Sequence, residues 1–202
     1  MRSDSLQQFL RNRRSIRRFL PRPVSRQTIE RILETAVWAP SAHNRQPWRF
    51  VVLDSDESKA RLAEIMGGEF RQDLLADGLA DEVVTEQVNR SRNRILEAPV
   101  VIVLCMDLSE MDTYPDEKRQ AAERVMAIQS VALAGGTLLL SAHAEGLGGV
   151  WVCAPLFAPK AVRLALGLPV SFEPQAMLLV GYPKSIPDPR PRKPLEAVIR
   201  YT

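Results

Sequence analysis

The chain has 202 residues, of which 46% are hydrophobic, and its 27 basic and 24 acidic side chains leave a formal net charge of +3. This length and apolar content predict one α/β domain or one lobe of an intertwined dimer, and they exclude a disordered protein. The mild charge argues against bulk nucleic-acid binding, and two cysteines without CxxC spacing argue against a disulfide framework or a zinc site.

The first forty residues predict two amphipathic helices separated by a proline-broken loop. Leu6, Phe9 and Leu10 share one face of the first helix. The polar start of the chain differs from an apolar signal core, and no apolar run approaches the length that spans a bilayer, so we expect a cytoplasmic protein. Ser25 is a suitable N-cap for the second helix, which should end before Pro40.

The loop between these helices contains an arginine stretch, residues 13–19, with four arginines and one serine. From Arg11 to Arg26, both included, there are seven arginines and no acidic residue, so the positive charge has no local partner. Arginine offers a planar fork of charge-assisted donors that suits a phosphate monoester. The stretch therefore indicates an anion site, although a solvated basic surface and a nucleic-acid patch remain open.

A polar loop, Ala39 to Trp48, follows the second helix and leads into a strand predicted at residues 49–53. We expect the next helix, which begins near Lys59, to stop at Gly67-Gly68. Residues 69–97 are strongly charged and have weak apolar periodicity. This pattern predicts exposed helices that could close over a site as a lid.

The middle of the chain predicts the core. A continuous β-branched run at residues 99–106 is typical of a central strand that is buried on both faces. A long helix is predicted from about Lys118 to Ala144, and it is apolar on nearly every side between residues 131 and 140. Such a helix lies inside the molecule or in a dimer interface.

The last quarter predicts two short strands and an extended arm. The strands are expected at residues 150–153 and 176–181, with a small helix between them from Pro159 to Gly167. Five prolines from residue 183 to residue 194 predict an arm that lies across another surface. Together the elements favour a single α+β domain, residues 1–202, in a homodimer with a mixed central sheet flanked by helices.

The sequence lacks the usual motifs of side-chain catalysis. It has no GxSxG, Walker, strand-linked GxGxxG or HExxH pattern, and its two histidines, His43 and His143, are too few for a metal site or a triad. Cys153 lies in an apolar run without a sequence-adjacent base, so we expect it to be buried and structural. So little acid-base machinery points to a cofactor that carries the reaction.

Four segments in chain order resemble the nitroreductase-like FMN enzymes. They are Arg13-Arg14-Ser15-Ile16-Arg17, Pro40-Ser41-Ala42-His43-Asn44-Arg45-Gln46-Pro47-Trp48, Ala144-Glu145-Gly146-Leu147-Gly148-Gly149-Val150-Trp151 and Arg190-Pro191-Arg192. The resemblance is closest to the C-terminal reductase domain of the bifunctional protein of coenzyme F-420 biosynthesis, through Phe70-Arg71-Gln72-Asp73-Leu74, Thr113-Tyr114-Pro115-Asp116, Ala121-Ala122-Glu123-Arg124 and Pro174. The chain has no counterpart of that protein's glutamate-ligase domain, so a free-standing reductase is expected.

This resemblance implies an FMN site shared between the two subunits of an intertwined homodimer, with a nitroreductase-like fold. The cofactor-binding residues that it implies are Arg13, Arg14, Ser15, Ile16, Arg17, Arg190 and Arg192 for the phosphate and ribityl chain, Ser41, Asn44 and Gln46 from the partner subunit, and the backbone of Cys153 and Ala154 at flavin N5. Arg45, Arg71 and Asp73 are candidates for substrate binding, and no metal is implied.

The implied reaction is a hydride transfer through FMN. The donor would be NAD(P)H or a dihydro-deazaflavin, and the acceptor would be the enol-pyruvyl double bond of the dehydro form of the coenzyme F-420 precursor. One alternative is a general NAD(P)H-dependent reductase of nitroaromatics, quinones or enones. The other alternative is a nucleic-acid-binding module built on the arginine stretch, for which Phe19 is the only nearby aromatic residue.

Overall fold

Six α-helices and four strands make up the part of the chain that the computed structural model describes, residues 3–202. The helices are α1 (Ser3–Asn12), α2 (Arg26–Ala36), α3 (Asp56–Ala76), α4 (Asp81–Leu96), α5 (Glu117–Ala144) and α6 (Pro159–Leu166), and the strands are β1 (Trp48–Leu53), β2 (Val100–Asp107), β3 (Gly148–Val152) and β4 (Phe172–Gly181). The polar start of the chain that argued against a signal core includes Met1 and Arg2, which lie outside the described residues.

The four strands form one antiparallel sheet in the order β1-β2-β4-β3. Every residue of β2 is buried, which confirms the central strand predicted from its β-branched run. The sheet was expected to be mixed, but its three strand pairs are all antiparallel. The parallel pairing found among the described residues is an isolated bridge between Ser15 and Gly149. The α+β fold with helices around a central sheet is confirmed.

Helices cover both faces of the sheet, so the chain has two hydrophobic cores. On one face Ile32 of α2 and Leu138 of α5 pack in the same cluster as Leu104 of β2. On the other face Leu62 of α3 and Val162 of α6 join the cluster of buried sheet residues. This three-layer arrangement buries the apolar stripe of each of these helices and fixes the ends of the strands in space.

The helix that was expected to stop at Gly67-Gly68 continues as α3 to Ala76, so that prediction is wrong. Gly67 lies against α4, where a Cβ atom at residue 67 would approach Arg92 Cδ to 3.0 Å. The glycine therefore allows the two helices to pack closely, and this tertiary contact outweighs the low helix propensity of glycine.

Residues 69–97 form the distal part of a packed helical hairpin of α3 and α4. Leu74, Val84 and Val88 make a small buried cluster between the two helices, with Phe70 and Leu79 packed against it. The charged side chains of this segment therefore lie on the outer sides of two helices that share a small apolar core. Its movement as a lid stays a prediction.

The long helix α5 begins after Asp116, whose carboxylate accepts a hydrogen bond from the Arg119 amide at 2.9 Å. Its most apolar 18-residue window has a mean hydropathy of 1.7, so by length and composition it could cross a membrane, and the expectation that no run approaches that length is wrong. Ala127, Val131 and Leu138 are fully buried in the core cluster on the sheet. We therefore interpret α5 as a core helix.

An extended arm follows β4, as predicted. It is anchored where the Lys184 amide donates to the Arg18 carbonyl at 3.0 Å and where Pro183 bridges Phe19. From residue 184 onward every side chain is exposed, including Ile186 and Leu195. That the arm lies across another surface stays a prediction.

Candidate functional site

The arginine stretch is fixed along the edge of the sheet beside β3. Ser15 pairs with Gly149 in the parallel bridge, and the Ile16 amide donates to the Gly149 carbonyl at 3.0 Å. The Ile16 side chain is buried against Gly148, where a Cβ atom would lie 2.5 Å from Ile16 Cγ1. The stretch is therefore held by backbone pairing and by the apolar side chains of Ile16 and Phe19, which leaves its arginines to face a ligand.

A cavity of about 210 Å³, which we call the arginine cavity, lies between this stretch and the C-terminal arm. Its lining includes five arginines, Arg13, Arg14, Arg17, Arg190 and Arg192, together with Ser15. Asp188 is the only carboxylate in the lining. Residues from the two ends of the sequence thus meet, and the excess of positive charge makes the cavity suited to an anion.

Arg14 has a buried donor without a partner, which bears on whether a phosphate fits this cavity. Its Nη1 donates to the carbonyl oxygens of Arg11 at 2.5 Å and Arg13 at 3.1 Å. Its Nε is buried and has no hydrogen-bond partner among the described residues. An unsatisfied buried donor costs about 1–3 kcal/mol, and an oxygen of a bound anion would satisfy it.

His143, which the sequence gave no reason to place at the site, lies beside the arginine stretch. Its ring stacks on Phe9 with 4.8 Å between centroids. Burial lowers the pKa of His143, a hydrogen bond with the Phe9 backbone opposes this effect, and the charges of Arg13 and Arg14 lower the pKa further. The imidazole is therefore held in its neutral form, and it adds no charge to the arginine stretch at neutral pH.

The polar loop before β1 has a strained backbone. His43, Asn44 and Gln46 have φ values of 50°, 53° and 49°, a region in which residues other than glycine are uncommon. The Ser41 hydroxyl accepts a hydrogen bond from the Gln46 amide at 3.1 Å and helps to hold this shape. Such conformations cost on the order of 1–3 kcal/mol each and cluster at functional sites, so the exposed Asn44 and Gln46 are candidates for ligand contacts.

The polar loop and the arginine stretch stand at opposite corners of the sheet. The loop precedes Trp48, which pairs with Met106 at one end of β2, whereas Ser15 lies beside the far edge strand near the other end. Four strand spacings separate them across the sheet, about 19 Å, and six residues along β2 add about 20 Å in the other direction. The two groups do not meet within one chain.

Cys153 and Ala154 follow directly after β3. The expectation that Cys153 is buried is wrong, because the strand ends at Val152 and the turn into a 3-10 helix (Ala154–Phe157) brings the cysteine to the surface. The Trp151 indole N–H donates to Cys153 Sγ at 3.0 Å. From Gly148 to Val152 the strand covers about 13 Å, so it separates the arginine stretch at its start from Cys153 just past its end.

A second cavity, which we call the α3 cavity, has a volume of about 390 Å³ and lies between the α3–α4 hairpin and the turn after β3. Ala154 and Asp73 both line it, so the structure brings a predicted flavin neighbour and a predicted substrate residue together. Arg71 instead pairs with Asp81, and Arg45 pairs with Asp112. Among the three predicted substrate residues, Asp73 is the one that borders this cavity.

Comparison with known proteins points to one family. Residues 10–182 match the nitroreductase family. The chain is 34% identical to an NADH dehydrogenase from Thermus thermophilus, in a match that covers 94% of this chain and 92% of the relative. A BluB-like flavoprotein from Clostridium difficile has a TM-score of 0.78 at 25% identity over 98% of both chains. A candidate nitroreductase from Desulfovibrio desulfuricans, crystallised with FMN, has a TM-score of 0.74 at 26% identity over 98% of this chain and 96% of that one.

Proposed function

The chain belongs to the nitroreductase family, and from this premise we propose that it is an FMN-dependent oxidoreductase that takes electrons from NAD(P)H and passes them to a small organic acceptor. The arginine cavity carries this proposal, because its five arginines and the unpartnered Nε of Arg14 fit a phosphate. When bound, FMN supplies reversible hydride transfer, which no side chain of this site offers.

The residues of the arginine cavity would bind the phosphate group of FMN. Arg13, Arg17, Arg190 and Arg192 supply charge-assisted donors from both ends of the chain, and Ser15 supplies a hydroxyl. Ile16 would act beneath them by fixing the backbone of the stretch. At the other end of β3, the backbone of Cys153 and Ala154 would face the ring, for which a strand end without catalytic side chains is sufficient.

We propose that two copies of the chain complete each flavin site. Asn44 and Gln46 lie too far from the arginine stretch to reach the same flavin within one chain, so they would serve the site of a partner. Helix α5 also leaves Val125, Ile128 and Leu133 between 37% and 51% exposed, an unpartnered apolar face that a second copy would cover. The exposed C-terminal arm is consistent with the same arrangement.

Loss of FMN from a variant of the arginine stretch tests the proposal. We expect the purified protein to be yellow and its flavin absorbance to bleach when NAD(P)H is added without oxygen. Arg13→Ala combined with Ser15→Ala should release FMN while the far-UV circular dichroism spectrum is retained. Arg61→Ala, which removes an exposed arginine of α3 outside the lining of the arginine cavity, is the control. A colourless wild-type protein that binds DNA or RNA in a salt-sensitive manner would overturn the proposal.

A narrower candidate for the reaction is reduction of the dehydro-coenzyme F-420 precursor, with NAD(P)H or a dihydro-deazaflavin as donor. The three segments and Pro174 that resemble the F-420 branch support it. The ion pairs of Arg45 and Arg71 favour the general reductase, because each guanidinium already has a carboxylate partner with which an anionic substrate would compete. Turnover of the precursor and of a nitroaromatic at equal concentration separates the two, and a preference for the precursor would establish the narrower reaction.

A further inference from the structure

The α3 cavity has a size and position suited to an acceptor molecule. Its volume of about 390 Å³ falls within the range of roughly 300–1,000 Å³ typical of small-molecule sites. Met66, Phe70 and Leu74 of α3 and Phe157 of the turn after β3 give it apolar walls. Ala154, which the proposed function places at the flavin ring, also lines it, so the inference below rests on that function.

Three carboxylates line the same cavity, Glu69 and Asp73 from one face of α3 and Asp77 from its C-cap. Among the described residues none of them makes an ion pair or a side-chain hydrogen bond, and no basic side chain lines the cavity. Several other acidic residues of the hairpin are paired: Glu64 with Arg92, Asp81 with Arg71 and Glu86 with Arg90. The lining of the cavity, in contrast, carries three carboxylates and no cation to balance them.

These carboxylates do not stabilise the helix that carries them. They are spaced four residues apart, so each repels the next along the same helix face. Asp73 and Asp77 also stand at the C-terminal end of α3, where a negative charge opposes the helix dipole. Fold stability thus gives no reason for their placement, whereas the selection of a ligand does.

We propose that the α3 cavity selects acceptors that carry a positive charge beside an apolar or aromatic body. The carboxylates give the cavity a negative potential, which attracts a cation and repels an anion. Phe70 and Phe157 line the cavity, an aromatic ring favours an ammonium group over its face, and the apolar walls accommodate a ring. The class includes nitroarenes and quinones with an amine or quaternary ammonium substituent.

The first step for a nitroarene balances with the donor already proposed. One NAD(P)H is oxidised to NAD(P)⁺, and the nitro group is reduced by two electrons to a nitroso group. The hydride and one proton from solvent leave with one nitro oxygen as water. The cation itself does not react, and its charge serves only to hold the acceptor in the cavity.

Three nitroarenes with the charge insulated from the ring test the proposal. They are (4-nitrobenzyl)trimethylammonium, neutral 4-nitrobenzyl alcohol and anionic 4-nitrophenylacetate. With FMN-loaded protein at low salt, we expect kcat/KM for the cation to exceed that for the anion roughly tenfold or more, and the difference to shrink as salt is added. The Kd of each compound for the oxidised flavoprotein, from the change in flavin absorbance, is a second readout that needs no turnover.

Matched charge variants show whether these carboxylates cause the preference. Asp73→Asn combined with Asp77→Asn should reduce it several-fold, with Glu69 as the carboxylate that remains in the lining. Glu57→Gln combined with Glu82→Gln removes the same charge from exposed positions of the same hairpin outside the cavity lining, and should leave it unchanged. Equal kcat/KM and Kd values for the three compounds, or equal loss of preference in both variants, would overturn the inference. A protein that neither holds FMN nor oxidises NAD(P)H would instead refute the proposed function, which is a distinct result.

Discussion

At the scale of single residues, the position of the arginine stretch depends on a contact that has no charge. Ile16 is 4% exposed, and a Cβ atom at Gly148 would lie 2.5 Å from its Cγ1 and 2.6 Å from its Cβ. Rotation of the Ile16 side chain cannot relieve a clash with its own Cβ atom. Any side chain at residue 148 would therefore push the stretch away from β3.

We expect Gly148→Ala to weaken FMN binding because it displaces the arginines as a group. Overpacking of this kind costs about 1–3 kcal/mol, which corresponds to a loss of roughly 5- to 150-fold in affinity. Titration of the apoprotein with FMN, followed by flavin fluorescence, measures the change. Gly68→Ala is the matched control, because a Cβ atom there meets no atom within 4 Å. Wild-type affinity in Gly148→Ala would mean that Ile16 does not position the stretch.

Residue types allowed part of this site to be predicted from the sequence. The rest depends on tertiary contacts that the sequence does not show. Arginines without acidic neighbours indicate an anion site wherever they fold, so the chemistry of the stretch was visible in advance. The contact between Ile16 and Gly148 was not, because it joins residues far apart in the chain. Cys153 was misjudged for a related reason, since its exposure depends on where β3 ends rather than on the apolar residues before it.

At the scale of elements, local signals succeeded where the sequence pattern and the tertiary contacts agree. The apolar run of β2 and the Pro159 and Gly167 boundaries of α6 gave correct predictions, and Gly167 indeed ends α6 in the left-handed region at φ 61°. The glycine pair in α3 gave a wrong one. There the packing of α3 on α4 extends the helix through two residues that would end an isolated one.

The two glycines of α3 should differ in what an added methyl group does to stability. Gly68 is exposed and has room for a Cβ atom, so Gly68→Ala should raise the free energy of unfolding by about 0.5–1 kcal/mol. Gly67→Ala should gain less, because its Cβ atom must displace the Arg92 stem at 3.0 Å. Urea denaturation of both variants measures the difference. Equal stabilisation would mean that the contact between α3 and α4 is not tight at this position.

At the scale of the whole molecule, sheet topology separates residues that the family resemblance assigns to one flavin. The order β1-β2-β4-β3 puts the polar loop and the arginine stretch at opposite corners, a fact that no periodicity in the sequence reveals. The apolar face of α5 and most side chains of the arm are exposed on the same chain. We propose that dimerisation explains all of these features. In the dimer, the polar loop of each chain would complete the flavin site at the arginine stretch of the other.

This sharing should be visible as complementation between two defective variants. One chain carries Arg13→Ala and Ser15→Ala, and the other carries Asn44→Gly and Gln46→Gly, which remove the amides but keep the positive φ accessible. Each variant alone should bind FMN poorly. In a dimer of the two, one site combines an intact arginine stretch with an intact polar loop, so an equal mixture that exchanges subunits should regain about a quarter of the wild-type flavin sites.

The recovery separates a shared site from one built within a single chain. If each flavin used the arginine stretch and the polar loop of the same chain, every site in the mixture would contain one defect, and no flavin would return. A mixture of Arg13→Ala/Ser15→Ala with Arg17→Ala is the control, because both defects then lie in the stretch and no combination is intact. Flavin content after co-expression measures both mixtures. Recovery confined to the first mixture requires that the polar loop of one chain completes the arginine cavity of another.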